Sequence, residues 1–332
     1  GMTGLFLVLS ILVLAHAAKG SSGSLRDPER KRLACHPADA LEVTVGDDFD
    51  AKKLDTNTWM VLEGCSKKMC RRPDKVQLRD GNLELHMGPS KPYKAADGRV
   101  FSYEGGGILM NETLHFGYYE ARVAFSGAPG YVQVFWTTTS PSFLEPVDGP
   151  QQEFDVVQYP GNRSYYEITT WRWSPEPYAI VGKSRILLQQ PTRLSAKASE
   201  GCPLMTPALS KSFTKEKLEE LGDNKWEGEP EPMKPPSNET DAEDAQAAQL
   251  DMTGWHTYGL LYTPEQAFFY LDGVPIRMID LAKALPGDEL ARQHVLLTTQ
   301  VTGETVGEVG DASGVMYVDY FRFHQLPGSE TQ

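Results

Sequence analysis

Short runs of aromatic and β-branched residues, separated by turn residues, punctuate both halves of this chain. Residues 118–125 and 131–137 are two such runs, and the sequence SGAPG between them has the composition of a turn. Residues 268–271 lead through an Asp-Gly pair into a further run, which indicates a hairpin. No long amphipathic helix stands out, and only a short helix is predicted at 287–293. The pattern predicts a mainly antiparallel β protein.

Residues 185–251 break this pattern, because the segment is polar and contains proline. Between positions 215 and 251, four lysines stand against twelve acidic residues, a net charge of −8 within a total of −13. Residues 212–221 could form a helix, and the rest has the composition of a disordered or loosely packed insertion. Such an insertion could form the rim of a binding groove, or it could be a solvated loop without a role.

Candidate chemistry is concentrated in the sequence EFDVVQ at 153–158. Residues i and i+2 of a strand share a face, so Glu153 and Asp155 are expected to project together. Gln158 would share that face only if one extra residue formed a β-bulge at Val156-Val157. Retaining glycoside hydrolysis uses one carboxyl as nucleophile and a second as proton donor. An amide at the second position can form hydrogen bonds but cannot donate a proton to a leaving group.

This motif resembles the Glu-x-Asp-x-(x)-Glu signature of glycoside hydrolase family 16, with Gln158 in place of the last glutamate. The resemblance extends over most of residues 45–182 and 252–326. Further segments that carry it, in the family's order, are DDF at 47–49, LDTNTW at 54–59, GNLEL at 81–85, GGGI at 105–108, FGYYEARV at 116–123, FW at 135–136, WHTY at 255–258, FYLDG at 269–273 and VDYFR at 318–322.

The resemblance implies an all-β, antiparallel jelly-roll β-sandwich of the concanavalin A-like type, with a glycan groove on the concave sheet. It also implies that Glu153 is the nucleophile and that Asp155 forms a hydrogen bond with it. Trp136, Trp171 and Trp173 are candidates for stacking on pyranose rings. Asp319 matches a position that binds structural calcium in some relatives, and no other cofactor is expected.

Gln158 leaves three interpretations open. The protein could have kept the groove and lost the reaction, so that it binds glycans as a lectin does. It could be an inactivated Glu-to-Gln variant of a hydrolase. It could also be an active enzyme whose acid comes from a nearby loop, with Glu145, Asp148 and Glu176 as candidates.

The resemblance implies a β-linked polysaccharide, such as a β-1,3-glucan, as the partner of a monomeric protein. Many family members carry a histidine on the strand after the motif, whereas this chain reads ITTWRW at 168–173, which weakens the transfer of substrate detail. The formal charge of −13 argues against a nucleic-acid partner and mildly against a heavily sulfated polysaccharide, although a local basic patch could override the latter.

Residues 1–18 are predicted to be a secretory signal, either cleaved or kept as an anchor, and a cleaved signal leaves a secreted protein without a membrane segment. A leader at 19–40 would then precede a single domain at 41–327. Cysteine content fits export. Cys65 and Cys70 could close a tight loop and leave Cys35 to pair with Cys202, although four cysteines permit three connectivities.

Overall fold

The computed structural model describes residues 37–39, 41–139, 150–174, 179–188, 250–287 and 289–329. Within these ranges the strands are β1 (Val43–Asp47), β2 (Trp59–Val61), β3 (Gly64–Ser66), β4 (Met69–Arg71), β5 (Val76–Arg79), β6 (Asn82–Lys94), β7 (Val100–Gly105), β8 (Gly107–Met110), β9 (Gly117–Ala124), β10 (Val132–Thr138), β11 (Gln151–Tyr159), β12 (Tyr165–Ser174), β13 (Ala179–Leu187), β14 (His256–Tyr262), β15 (Gln266–Leu271), β16 (Val274–Asp280), β17 (His294–Gln300) and β18 (Gly314–Gln325). The helices are α1 (Leu281–Ala284) and α2 (Val306–Val309), with 3₁₀ turns at Pro37–Asp39 and Pro73–Lys75.

These strands form two sheets. One has the order β13-β12-β11-β10-β17-β8-β2, and the other has the order β16-β15-β14-β9-β18-β6-β7-β4-β3, with β1 beside β18 and β5 beside β6. Among the described strands, every pair is antiparallel except β4 with β7. Neighbours in a sheet are often distant in sequence, as β10 and β17 are. The predicted all-β, antiparallel jelly-roll sandwich is confirmed.

The hydrophobic core lies between the two sheets. Phe135 of β10 contacts Phe321 of β18 with ring centroids 6.2 Å apart, and Phe154 of β11 contacts Tyr262 of β14 at 5.2 Å. Because side chains alternate along a strand, residues next to these point away from the core. We call this outward surface of the seven-stranded sheet the site face.

Local predictions fare differently. The hairpin after residues 268–271 is confirmed, with Asp272 and Gly273 both at positive φ, as the tightest hairpin turn requires. The predicted helix at 287–293 is wrong. The helix α1 ends before it, Gly287 has φ of +77°, and Gln293 pairs with Leu114 in a β-bridge, so the described residues of this stretch do not form a helix.

Several predictions lie outside the described residues. These are the signal at 1–18, nearly all of the leader at 19–40, the pairing of Cys35 with Cys202, and most of the insertion at 185–251. The structure describes where that insertion leaves and rejoins the domain. The amide of Leu250 donates to the carbonyl of Leu188 at 2.9 Å, so the two ends of the segment meet.

Candidate functional site

A β-bulge in β11 brings the three motif residues to one face. Opposite β12, Asp155 pairs with Thr169 and Gln158 with Glu167, so three steps on β11 match two on β12. The pairing with β10 shifts at the same place. The bulge predicted at Val156-Val157 is therefore present, and it places Gln158 on the site face with Glu153 and Asp155.

Each carboxylate of the pair accepts a hydrogen bond from a tryptophan of β12. Trp173 Nε1 donates to Glu153 Oε2 at 3.0 Å, and Trp171 Nε1 donates to Asp155 Oδ2 at 3.3 Å. The two indoles are stacked on each other, with centroids 4.7 Å apart and planes 9° from parallel. The indole N–H groups of this stacked pair thus fix the positions of the two carboxylates. The expected bond between Glu153 and Asp155 is not among the hydrogen bonds of the described part of the chain.

Burial raises the pKa of Glu153, and the negative charge of Asp155 raises it further, against the opposing effects of the Trp173 hydrogen bond and of Lys67. Burial also raises the pKa of Asp155, which is only 5% exposed. Two carboxylates that repel each other in this way resist being ionised together. The pair therefore holds a proton at a higher pH than isolated acids would, and Glu153 becomes a better nucleophile as the pH rises.

Gln158 is held by a residue that sequence reasoning missed. Its Nε2 donates to Glu167 Oε2 at 3.3 Å, while Glu167 Oε1 lies 2.8 Å from Arg185 Nε and 3.1 Å from Lys183 Nζ. The ion pairs keep Glu167 in position, where its carboxylate accepts the hydrogen bond from Gln158. Sequence reasoning could have found Glu167. It lies four positions before Trp171, and residues four apart in a strand share a face, so Glu167 lies on the same face of β12 as Trp171.

Trp136 lies on β10 directly beside Asp155 and is partly exposed. Its Nε1 donates to Thr298 Oγ1 of β17 at 2.9 Å, which fixes the ring against the sheet. The same indole packs against a small apolar cluster that is separate from the core and is made of Leu62, Leu109, Leu296 and Met60. The structure thus gives the site an apolar wall.

The hairpin β3–β4 lies against β17 and brings a lysine near the two carboxylates. The disulfide Cys65–Cys70 closes it, as the loop length suggested. At its turn, Lys67 donates from Nζ to Gln300 Oε1 of β17 at 2.9 Å, and its ammonium interacts electrostatically with Asp155 and Glu153. Sequence reasoning missed Lys67, because only pairing across the fold brings this hairpin to the site.

Other sequence candidates lie elsewhere. Asp319 is on β18 of the opposite sheet, where its Oδ2 lies 2.7 Å from Arg122 Nη1. No group of three or more His, Cys, Asp or Glu side chains able to hold a metal occurs among the described residues. The displaced-acid candidates Glu145, Asp148 and Glu176 lie outside the described ranges. In the part of the chain that is described, no helix is long and apolar enough to cross a membrane.

Solved structures with a similar fold include enzymes that act on glycans. An endo-β-1,3(4)-glucanase of glycoside hydrolase family 16 superposes with a TM-score of 0.58 at 17% identity, covering 88% of this chain and 97% of its own. The laminarinase catalytic domain of Thermotoga maritima gives a TM-score of 0.56 at 12% identity, covering 86% and 98%. The resemblance to glycoside hydrolase family 16 is confirmed, and the fold is that of its laminarinases and glucanases.

Sequence comparison adds a relative that matches part of the chain. A β-glucanase of Acetivibrio thermocellus is 28% identical over 157 residues, which is 46% of this chain and 40% of that protein. The alignment thus spans well under half of the curated relative. No protein-family model matches the chain.

Proposed function

We propose that this protein binds a β-linked glucan, such as a β-1,3-glucan, across the site face and cleaves ordinary glycosidic bonds only very slowly. The observation that carries the proposal is the position of Gln158. A bulged strand sets its amide on the face of Glu153 and Asp155, where a retaining enzyme needs a second carboxyl.

The chemistry follows from what each group can do. Glu153 can attack an anomeric carbon and form a glycosyl ester, while the C–O bond to the leaving group breaks. The departing oxygen of an ordinary sugar must take up a proton as it leaves, and the amide of Gln158 is not acidic enough to supply one. Loss of general acid assistance typically lowers the rate about 10²- to 10⁴-fold. A leaving group that is stable as an anion avoids this requirement.

Gln158 is suited to binding. Its Nε2 is engaged with Glu167, which leaves the amide oxygen and one N–H for hydrogen bonds with a glycan. The ion pairs of Glu167 with Arg185 and Lys183 hold that orientation. A fixed amide beside an aromatic wall is an arrangement that recognises a sugar hydroxyl or ring oxygen without reacting with it.

Trp136 supplies the surface for a sugar ring, since an exposed indole face beside polar groups is a common platform for pyranoses. The test is calorimetric titration of the full chain with laminarihexaose, compared with cellohexaose and agarohexaose. We expect Trp136→Ala to weaken glucan binding about 10- to 30-fold. The matched control is Trp255→Ala, because Trp255 is exposed beside the other sheet, where it packs on Arg122 and Tyr317.

Equal binding losses in the two tryptophan variants would contradict the assignment of the site face. Ordinary turnover of laminarin by the unaltered chain would contradict the proposed loss of acid catalysis.

We further propose that the protein is exported. The disulfide Cys65–Cys70 supports this, since such bonds persist in oxidising compartments. Expression of the full chain in a secreting host, followed by N-terminal sequencing of the product in the medium, tests it. A mature N-terminus near residue 19 is expected, and retention of the whole chain in the cytosol would contradict the proposal.

A further inference from the structure

Arg71, the last residue of β4, lies on the site face, and no carboxylate of the described residues forms an ion pair with it. Its Cδ atom is next to Gly107 of β8, close enough that a Cβ on that glycine would come within 3.2 Å of it, beside Thr298 and Leu62. The glycine therefore gives the arginine its place against the sheet. Thr298 is also the residue that bonds Trp136, so Arg71 adjoins the aromatic wall.

The guanidinium has no anionic partner among the described residues. Its Nε is buried without a hydrogen bond, and no described carboxylate forms an ion pair with Arg71. Burial lowers the pKa of Arg71 to about 10, which leaves the group charged at neutral pH. Arg71 as a whole is partly exposed, and the buried part of a charged group is normally paired, because its loss of hydration is otherwise uncompensated. An anion that arrives with a ligand would supply the missing partner.

Lys67 strengthens the positive charge at this place. It belongs to the same disulfide-closed hairpin, and its ammonium lies near enough to Arg71 for each to feel the other's charge. The two carboxylates of the site attract Lys67, but its only hydrogen-bond partner among the described side chains is the neutral amide of Gln300. Lys67 and Arg71 thus form a local positive patch on a protein whose formal net charge is −13.

The distance of Arg71 from Gln158 decides which part of a bound glycan the two cations can contact. Gln158 is level with Val134 of β10, Val134 with Thr298 of β17, and Thr298 with Gly107 of β8. Strands are about 4.8 Å apart, so Arg71 lies roughly 10–14 Å from Gln158 along a line that crosses the strands. A glycan bound across the sheet would therefore reach Arg71 a short distance from the sugar at Gln158.

We propose that Arg71 and Lys67 form a subsite for an anionic substituent, a carboxylate or a sulfate, on a sugar bound next to the Glu153 site. This inference rests on the proposed function and narrows its ligand to a glucan-type chain that bears negative charge. The guanidinium offers paired N–H donors to two oxygens of the anion, and the ammonium of Lys67 adds a third contact.

The experiment compares the affinity of the full chain for neutral laminarin and for carboxymethylated laminarin of matched length at low ionic strength. We expect the anionic ligand to bind about 10- to 100-fold more tightly, the contribution of charge-assisted hydrogen bonds. Arg71→Gln should bring the ratio close to one while neutral laminarin binds as before. Lys67→Gln should lower the ratio partly. The matched control is Lys68→Gln, an exposed lysine at the next position of the same turn.

A second probe separates the anion site from glycan binding altogether. Millimolar sodium sulfate, against sodium chloride of equal ionic strength, should raise the Tm of the unaltered chain and of Lys68→Gln, but not that of Arg71→Gln. If neutral laminarin does not bind while this difference persists, the proposed glucan function fails and the anion subsite stands.

Two results would overturn the subsite. One is an affinity ratio near one in the unaltered chain, and the other is an equal sulfate response in the unaltered chain and Arg71→Gln. If Arg71→Gln does not fold, Lys67→Gln decides the question, since that side chain is at an exposed turn. A ratio and a sulfate response unchanged by Lys67→Gln would then refute the proposal.

Discussion

Restoring an acid at position 158 is the most informative perturbation of this site. In Gln158→Glu, one oxygen of the new carboxyl would take the place of Nε2, which lies 3.3 Å from Glu167 Oε2. At that distance and an effective dielectric constant of about 20, two negative charges repel by about 5 kcal/mol. Arg185 and Lys183 offset part of this repulsion. The remainder raises the pKa of the new carboxyl, so that it keeps a proton to donate near neutral pH.

We therefore expect Gln158→Glu to hydrolyse laminarin about 10²- to 10⁴-fold faster than the unaltered chain, a lowering of the barrier by about 2.7–5.4 kcal/mol. The assay measures reducing ends released from laminarin, alongside release of dinitrophenol from a laminaribioside with that leaving group. The activated substrate needs no proton, so its first cleavage step should change less than about tenfold.

Controls isolate the acid. Gln158→Leu, of similar size, should gain nothing, and adding Glu153→Gln to the acid variant should abolish the gain. The reasoning is refuted if the acid variant folds and binds laminarin but gains less than about tenfold. It is equally refuted if the unaltered chain already matches the variant.

Three further outcomes are expected. Trp173→Phe removes the N–H that stabilises ionised Glu153, so release of dinitrophenol should slow about 10- to 100-fold while the pH at half-maximal rate moves upward. Because burial raises the pKa of Asp155, the folded state binds more protons than the unfolded state, and stability falls as the pH rises above about 4. Asp155→Asn should therefore unfold at a higher urea concentration than the unaltered chain at pH 8. Near pH 3 this difference should vanish. Opening the short loop in Cys70→Ser should cost about 2 kcal/mol in urea unfolding, and an unchanged midpoint would show that Cys65–Cys70 does not constrain the hairpin.

Much of the site could be predicted because it depends on local rules. Period-two alternation puts Glu153 and Asp155 on one face of any strand, and the only way to add Gln158 was the bulge that the structure contains. The order of the family-like segments along the chain predicted the β-sandwich. Trp136, a candidate for stacking on sugars, lies in the structure as a partly exposed indole beside the acids, and its contact with a sugar remains a proposal.

What could not be predicted depends on pairing between distant segments. Lys67 reaches the carboxylates only because the hairpin β3–β4 lies against β17, more than two hundred residues away in sequence. Trp171 and Trp173 stack on each other and donate hydrogen bonds to the acids, an arrangement set by side-chain packing on β12 that the sequence does not reveal, while their stacking on a sugar stays a prediction. The short helix predicted at 287–293 is wrong, because Gly287 turns at positive φ and Gln293 pairs with Leu114 in a β-bridge from a distant part of the chain.

The central claim is that Glu153 remains a nucleophile while Gln158 can act neither as acid nor as base. Its most direct test is the intact mass of the full chain after incubation with dinitrophenyl β-laminaribioside. The account predicts a glycosyl adduct that accumulates, maps to Glu153 and is released faster by azide, a nucleophile that needs no base. Consumption of the substrate without an adduct on Glu153, and without any acceleration by azide, would contradict it.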